Sequence, residues 1–332
     1  MAIMRIRKRY TFIFAGFTIL ALSYLHVVDV GFLMQGEFSS PLLRAKCEQS
    51  LQETYGLTIT TLTKNSASYI KEWIEYHLLI GVDHFFILDN ESTDDVYSVL
   101  QPYIEKHLIT YIPWRDSYYL DAQFQATLNT QQKGIVYALS LYGCKSQWTA
   151  LIDDDEFLLP KGNATVKEVL KFYTDYGGLA VGWAWFGSNG HSRKPHDMVI
   201  EAFTKRRKDL DVIYKTIIQP KYFKRLKTIH FPVFYQNYSL VTENYEVLSP
   251  ITEHVKKLAY TFNHPTSDVI QLNHYKVKSK EDWTSRVNRG AVAGYRNRDK
   301  LSDFESYDYN EVEETEILKF LPALKKNMGF AV

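Results

Sequence analysis

The stretch Trp148-Thr149-Ala150-Leu151-Ile152-Asp153-Asp154-Asp155-Glu156-Phe157-Leu158-Leu159-Pro160 sets four consecutive acids between two apolar runs. Trp148 to Ile152 has the length and composition of a buried strand. The acids therefore stand at a strand's carboxyl end, where open α/β sheets bind their ligands. In extended chain Asp153 and Asp155 face one side, and Asp154 and Glu156 the other. Two carboxylates on one side suit a hard divalent ion, manganese or magnesium, which prefers oxygen ligands and keeps positions open for diphosphate oxygens. The plainer alternative is a solvated acidic turn closing a strand.

Working outward, strand and helix signals alternate. Thr58 to Thr63 is rich in β-branched residues and reads as a strand. Ile70, Trp73, Ile74 and Leu78 recur at helical spacing, with Ser66 or Ser68 as N-cap and Gly81 as stop. His84 to Leu88 is a second strand, Asp94 or Asp95 to His107 a second helix, and Leu108 to Ile112 a third strand. A long amphipathic helix is predicted over Ala122 to Tyr142, ended by Gly143. Such alternation implies a Rossmann-like α/β fold with a largely parallel central sheet and right-handed crossovers. Lys64-Asn65, Asp89-Asn90 and the acidic run then gather at one rim. Asp89 is placed to accept hydrogen bonds from a base or ribose, while Ser92 to Asp94 can cap the following helix.

Beyond Pro160 the pattern loosens. Trp183, Trp185 and Phe186 lead into Gly187-Ser188-Asn189-Gly190-His191, which reads either as a platform for the apolar face of a sugar or as a core strand and turn. Asn273-His274-Tyr275-Lys276-Val277-Lys278-Ser279 places imidazole and ammonium groups together; neutral imidazole suits manganese, and Lys278 can neutralise phosphate. Three glycosylation sequons begin at Asn90, Asn163 and Asn237, the latter two freer to be modified.

Composition sets the limits. The 332 residues are 45% hydrophobic and 23% charged, enough for a sizeable core. With 39 basic against 38 acidic residues, the chain lacks the cationic field of a nucleic-acid binder. Two cysteines, Cys47 and Cys144, exclude a disulfide-stapled scaffold and allow one bridge or none. At the N-terminus Arg5, Arg7, Lys8 and Arg9 precede Tyr10 to Val28, a run without Asp, Glu, Lys or Arg. That length matches a bilayer core of ~30 Å, and the positive-inside rule keeps the basic end in the cytosol. A cleaved signal peptide is the competing reading, against which the run is longer than a usual h-region and lacks a clear small-x-small cleavage site. The expected organisation is a cytosolic tail (1–9), a transmembrane signal anchor (10–30), a stem (31–54) and a catalytic domain (55–332) across the membrane.

Several segments in order resemble glycosyltransferase family 92 and its family-2-like relatives. They are Lys64-Asn65, Tyr69 to His77, Gly81-Val82, Asp89-Asn90 with Ser92-Thr93-Asp94, Ile152 to Phe157, Trp185 to His191, Lys215 with Pro220, His230, and Asn273-His274-Tyr275 with Lys278-Ser279. The resemblance covers about Leu57 to Gly290 and implies a GT-A fold, a UDP-sugar donor and a divalent metal. It implies a type II Golgi enzyme, if eukaryotic, that transfers a hexose such as galactose to a glycan or glycoprotein acceptor with inversion. Carried over, Asp153, Asp155 and His274 would hold the metal. Asn65, Asp89, Asp153, Lys215 and Lys278 would contact the donor, and Trp185 and Phe186 the acceptor. Asp153, Asp155, Glu156 and His191 are the catalytic candidates, and the base is left open among His191, Asp197 and Glu201. This chain departs from the pattern at Ser66, where an acid often follows the asparagine, and at Asp154, where an apolar residue is frequent. Two rival readings are a membrane-anchored, non-catalytic carbohydrate-binding protein and a metal-dependent phosphoesterase.

Overall fold

The computed structural model describes residues 55–115, 128–235, 237–248, 262, 264–289 and 299–330. The expected tail, anchor and stem, and Cys47, lie outside these residues. Among the described residues no helix is long and apolar enough to cross a membrane.

The first half is built as its alternation predicts. Strands β1 (Tyr55–Thr63), β2 (His84–Asp89), β3 (Ile109–Pro113) and β4 (Ser146–Leu151) pair in parallel in the order β3-β2-β1-β4. β2 is buried along its whole length and β1 from Leu57 onward, which explains their near-continuous apolar and β-branched character. Helix α1 (Ile70–Leu79) buries Ile70, Trp73, Ile74, Tyr76 and His77 against the sheet. Neither Ser66 nor Ser68 caps it: its N-cap is Tyr69, which makes no side-chain cap. Gly81 ends the turn at φ +101°, a left-handed conformation open to glycine. Helix α2 (Val96–Glu105) follows, with the Asp94 carboxylate accepting from the Val96 amide. Helix α3 runs Thr130–Tyr142; of the helix expected from Ala122, residues 122–127 lie outside the described residues and 128–129 are not helical. Asn129 and Gln132 form a reciprocal capping box there, a local signal stronger than the continuing apolar spacing.

After β4 the sheet becomes mixed, so the expected parallel order holds for only half of it. Strand β5 (Glu156–Pro160), helix α4 (Val166–Leu170), strand β6 (Gly178–Trp185), the short helix α5 (Val199–Ala202) and strand β7 (Lys205–Arg206) follow. Next come β8 (Tyr214–Ile218), β9 (Phe223–Thr228), β10 (Phe231–Phe234), β11 (Leu240–Val241) and β12 (Ile270–His274). The main sheet continues from β4 through β8, β6 and β12 to β5. β8 is antiparallel to both β4 and β6, whereas β12 is parallel to β6 and antiparallel to β5. The carboxyl ends of β1, β4, β6 and β12 and the amino ends of β5 and β8 thus share one rim. Helices α6 (Lys280–Arg289), α7 (Phe304–Tyr307) and α8 (Leu321–Met328), with β13 (Val312–Glu313), complete the described chain.

The helix α1 side chains reach across the sheet to the acidic segment. The Trp73 indole donates to the Glu156 carbonyl at 2.7 Å, and the Tyr76 hydroxyl to the Leu158 carbonyl at 2.6 Å. His77 is held between the Trp73 carbonyl at 2.7 Å and the Leu158 amide at 3.3 Å. Polar tips on large apolar bodies therefore both fill the core and position β5.

Candidate active site

The acids do not continue the extended chain. Asp154 and Asp155 form a turn, closed by the Glu156 amide donating to the Asp153 carbonyl at 3.1 Å. The expected alternation of sides gives way to three separate environments. Asp153 accepts from the Lys215 ammonium at 2.8 Å and from the Gln131 amide. Asp154 accepts from the hydroxyls of Thr63 and Ser66. Asp155 faces His274 Nε2 at 3.4 Å and the Arg286 guanidinium at 3.0 Å. The two departures noted in the sequence, Ser66 and Asp154, thus touch each other, and the Ser66 hydroxyl expected to cap α1 serves a carboxylate instead.

Burial and charge set the protonation states. Burial opposes ionisation of Asp155, yet the hydrogen bond from His274 and the Arg286 charge hold its carboxyl well below the usual range. Burial and the neighbouring Asp155 charge push Asp154 up. Glu156 is fully buried and pushed well up by desolvation, with Lys215 at 3.5 Å opposing. Lys215 is 2% exposed, and Asp153 and Glu156 overcome its desolvation to raise its pKa. Burial keeps His274 neutral by lowering its pKa, and its Nδ1 is buried without a partner.

Two cavities open on the rim. One, about 560 Å³, is lined by Asp153, Asp154 and Asp155, by Trp183, Trp185, Tyr307 and Tyr309, and by Gln131, Asp211 and His274, among others. The other, about 590 Å³, is lined by Asn65, Ser66, Tyr69, Lys194 and Lys278 among others. Asp154, Asp155, Lys276, Arg286 and Arg289 belong to both. Helix α6 brings the two arginines there: Ser279 and Asp282 cap its start reciprocally, and Trp283 buries beneath it. Arg289 donates to the Lys64 carbonyl at 2.6 Å, tying α6 to the end of β1.

Of the sequence candidates, Asp153, Asp155, His274 and Trp185 share the aromatic cavity, while Asn65 and Lys278 line the other, where acids and cations are equally represented. Asp89 lines neither; its carboxylate is taken by the Tyr111 hydroxyl at 2.5 Å and the Ser92 amide at 3.1 Å. Lys215 and Glu156 lie beneath the site and also line neither. Phe186 is 0% exposed and packs on Tyr275, so it is core rather than an acceptor platform. The His191 ring meets Phe203, and Glu201 pairs with Lys325 at 2.6 Å; neither they nor Asp197 line either of these two cavities. The loop after Phe186 holds protein, not ligand. Ser188 and Asn189 amides donate to Asp308 and Asn310, and a Cβ at Gly187 would come within 2.2 Å of the Tyr309 carbonyl. That close approach delivers Tyr307 and Tyr309 to the cavity. Asn90 is fully buried, whereas Asn163 and Asn237 are exposed, as their sequons require.

Sequence reasoning missed Gln131, Asp211, Arg286, Arg289, Tyr307 and Tyr309. Arg286 and Arg289, three apart on a helix, carried the available signal; the tyrosines join the site only through the Gly187 contact. For a divalent metal, no ready group of three or more metal-binding side chains occurs among the described residues. The donor types nonetheless fit: a neutral imidazole beside a strongly ionised carboxylate, with Asp153 on the same cavity wall. A cation there competes with Arg286 for Asp155.

Related proteins span more than this body. A glycosyltransferase family 92 protein of Oryza sativa subsp. japonica is 29% identical over 161 residues, 47% of this chain and 25% of its own. One from Ricinus communis is 28% identical over 178 residues, 51% of this chain and 30% of its own. The chain therefore spans less than a third of the length of these relatives. Among solved structures, S. aureus TarS 1–349 in complex with UDP superposes with a TM-score of 0.30 at 14% identity, over 56% of this chain and 60% of that one. M. tuberculosis glucosyl-3-phosphoglycerate synthase gives 0.27 at 13% identity, over 44% and 50%. The sequence profile of glycosyltransferase family 92 matches residues 55–305, which begin with the first strand of the sheet and carry the acidic turn, His274 and α6, and the chain belongs to that family.

Proposed function

We propose that this body is a GT-A hexosyltransferase domain that moves a sugar, galactose foremost, from a UDP-linked donor to a glycan acceptor with inversion. One observation carries the reading: an acidic turn, a group of four cations and an aromatic wall meet at a single sheet rim. Lys276, Lys278, Arg286 and Arg289 place positive charge where a diphosphate can be held, and the Asn65 side lodges the nucleoside. Fixed charges in a partly buried site stabilise the departing phosphate without reorganising at the moment of reaction. A divalent cation on Asp153, Asp155 and His274 would supply further charge neutralisation to that leaving group. Lys215 and Glu156 prop Asp153 from below. Tyr307 and Tyr309, with the edges of Trp183 and Trp185, give the cavity an apolar wall against which a sugar can lie, leaving its hydroxyls to polar neighbours.

The apolar run at 10–28, preceded by four basic residues, supports a membrane-anchored enzyme facing a lumen, such as the Golgi. The test incubates the full-length chain with UDP-galactose, UDP-glucose and UDP-N-acetylglucosamine, with manganese or with chelator, and follows UDP release. We expect turnover that chelation abolishes and that Asp153→Asn or Asp155→Asn lowers by about 100-fold or more. Glycan binding that survives both substitutions, without UDP release by the unaltered chain, would favour the carbohydrate-binding reading.

A further inference from the structure

We propose that Asp211 is the general base that takes the proton from the acceptor hydroxyl, an inference that rests on the transferase reading above. Outside the acidic turn it is the one carboxylate among the described residues lining the aromatic cavity. It stands just before β8, whose antiparallel course between β4 and β6 delivers its amino end to the rim where the acids sit. The carboxylate is aimed by three donors. Oδ2 accepts from the Trp185 indole at 2.7 Å and faces Arg207 at 3.2 Å, while Oδ1 accepts from the Ile213 amide at 2.9 Å. Four lone-pair positions on a carboxylate leave room for one more donor, and the side chain is 14% exposed.

Trp185 sets the spacing. Its ring lies 4.5 Å from that of His274, which faces Asp155, and its Nε1 edge points to Asp211. The acidic turn and Asp211 therefore line one cavity with Trp185 between them in the contact chain, so a sugar held there meets both a site for the departing phosphate and a carboxylate for the acceptor proton. In the step, a lone pair of the acceptor oxygen forms the bond to the anomeric carbon. The bond from that carbon to the phosphate oxygen breaks, and UDP leaves with the electron pair. The acceptor proton passes to Asp211 and then to water.

Two acceptors test this in the full-length chain with UDP-galactose: water, which must lose a proton, and azide, which carries none. Asp211→Asn is expected to lower UDP release in water by about 100- to 10,000-fold. Galactosyl azide formation and UDP binding by calorimetry should stay within a few-fold of the unaltered chain. Asp211→Glu, which keeps a carboxyl, should recover part of the hydrolysis. Should the asparagine variant fail to melt cooperatively, Asp211→Ser, whose hydroxyl can still accept from Trp185, carries the same comparison. Hydrolysis near the original rate in the variant, or a parallel loss with azide, would overturn the assignment while leaving the transferase reading intact. Absence of both UDP binding and turnover in the unaltered chain would overturn the transferase reading itself, and the assignment with it.

Discussion

Lys215→Met probes the support beneath the acidic turn. The ammonium sits 2.8 Å from Asp153 and 3.5 Å from Glu156, and it is 2% exposed. Asp153 is partly exposed and keeps Gln131, so its share of the loss is small. Glu156 is fully buried, and its Oε1 already lacks a partner. Breaking a buried pair by removing one member costs about 3–5 kcal/mol because the other charge is stranded. With an unfolding entropy of about 0.6 kcal/mol/K for a body of this size, that is a fall of about 5–8 °C in Tm. The pH dependence has a definite sign. Burial already raises the Glu156 carboxyl, and losing Lys215 raises it further. A raised folded pKa gives stability that is present below the unfolded value near 4.3 and lost as pH rises through the folded one. The deficit of Lys215→Met should therefore be smaller at pH 5 than at pH 8, and Lys215→Met with Glu156→Gln should recover at least about 2 kcal/mol. Thermal melts of the four proteins at both pH values decide it. A deficit under about 1 kcal/mol at pH 8, or one of equal size at pH 5, would refute the reasoning.

Trp185 and Phe186, adjacent in sequence, should separate in effect. Trp185→Ala should raise the acceptor KM in a transfer assay, whereas Phe186→Ala should cost about 3–5 kcal/mol in a urea titration. Burial lowers His77 to about 3, so the unfolded state binds more protons between there and about 6.5. Stability should fall as pH drops through that window, by several kcal/mol at most, and a well-folded His77→Gln variant should show a flatter profile. Ser66→Ala removes a donor from half-buried Asp154 and should cost about 1 kcal/mol, most of which Ser66→Ala with Asp154→Asn restores; a melt series reads both.

Much of the first half was legible because its signals are local. Thr58 to Thr63 is a β-branched run and His84 to Leu88 an apolar one, each bounded by turns, and the α1 spacing exposes its buried face directly. The start of α3 was misplaced because apolar periodicity carried the reading past Asn129, where two side chains decide the boundary. Asp153, Asp155, His274 and Trp185 meet at one cavity, and their grouping was legible because polar or aromatic groups at strand ends are visible in a linear chain. Phe186 and His191 line neither cavity, because proximity in sequence says nothing about which side of a strand end, or which loop, faces it.

The amino-acid order alone determined the family, the parallel half of the sheet and the rim where its strand ends gather. All three follow from short-range spacing and from motifs kept in order. Only the tertiary structure decided that Lys215 and Glu156 lie under the acids rather than among them, that Ser66 serves Asp154, and that Arg286, Arg289, Asp211 and two tyrosines complete the site. Those groups are distant along the chain, and what unites them is the antiparallel insertion of β8, the tie of α6 to β1 and the close passage of Gly187 beside Tyr309. None of these contacts leaves a periodic trace in sequence, because each depends on where separate elements meet in space.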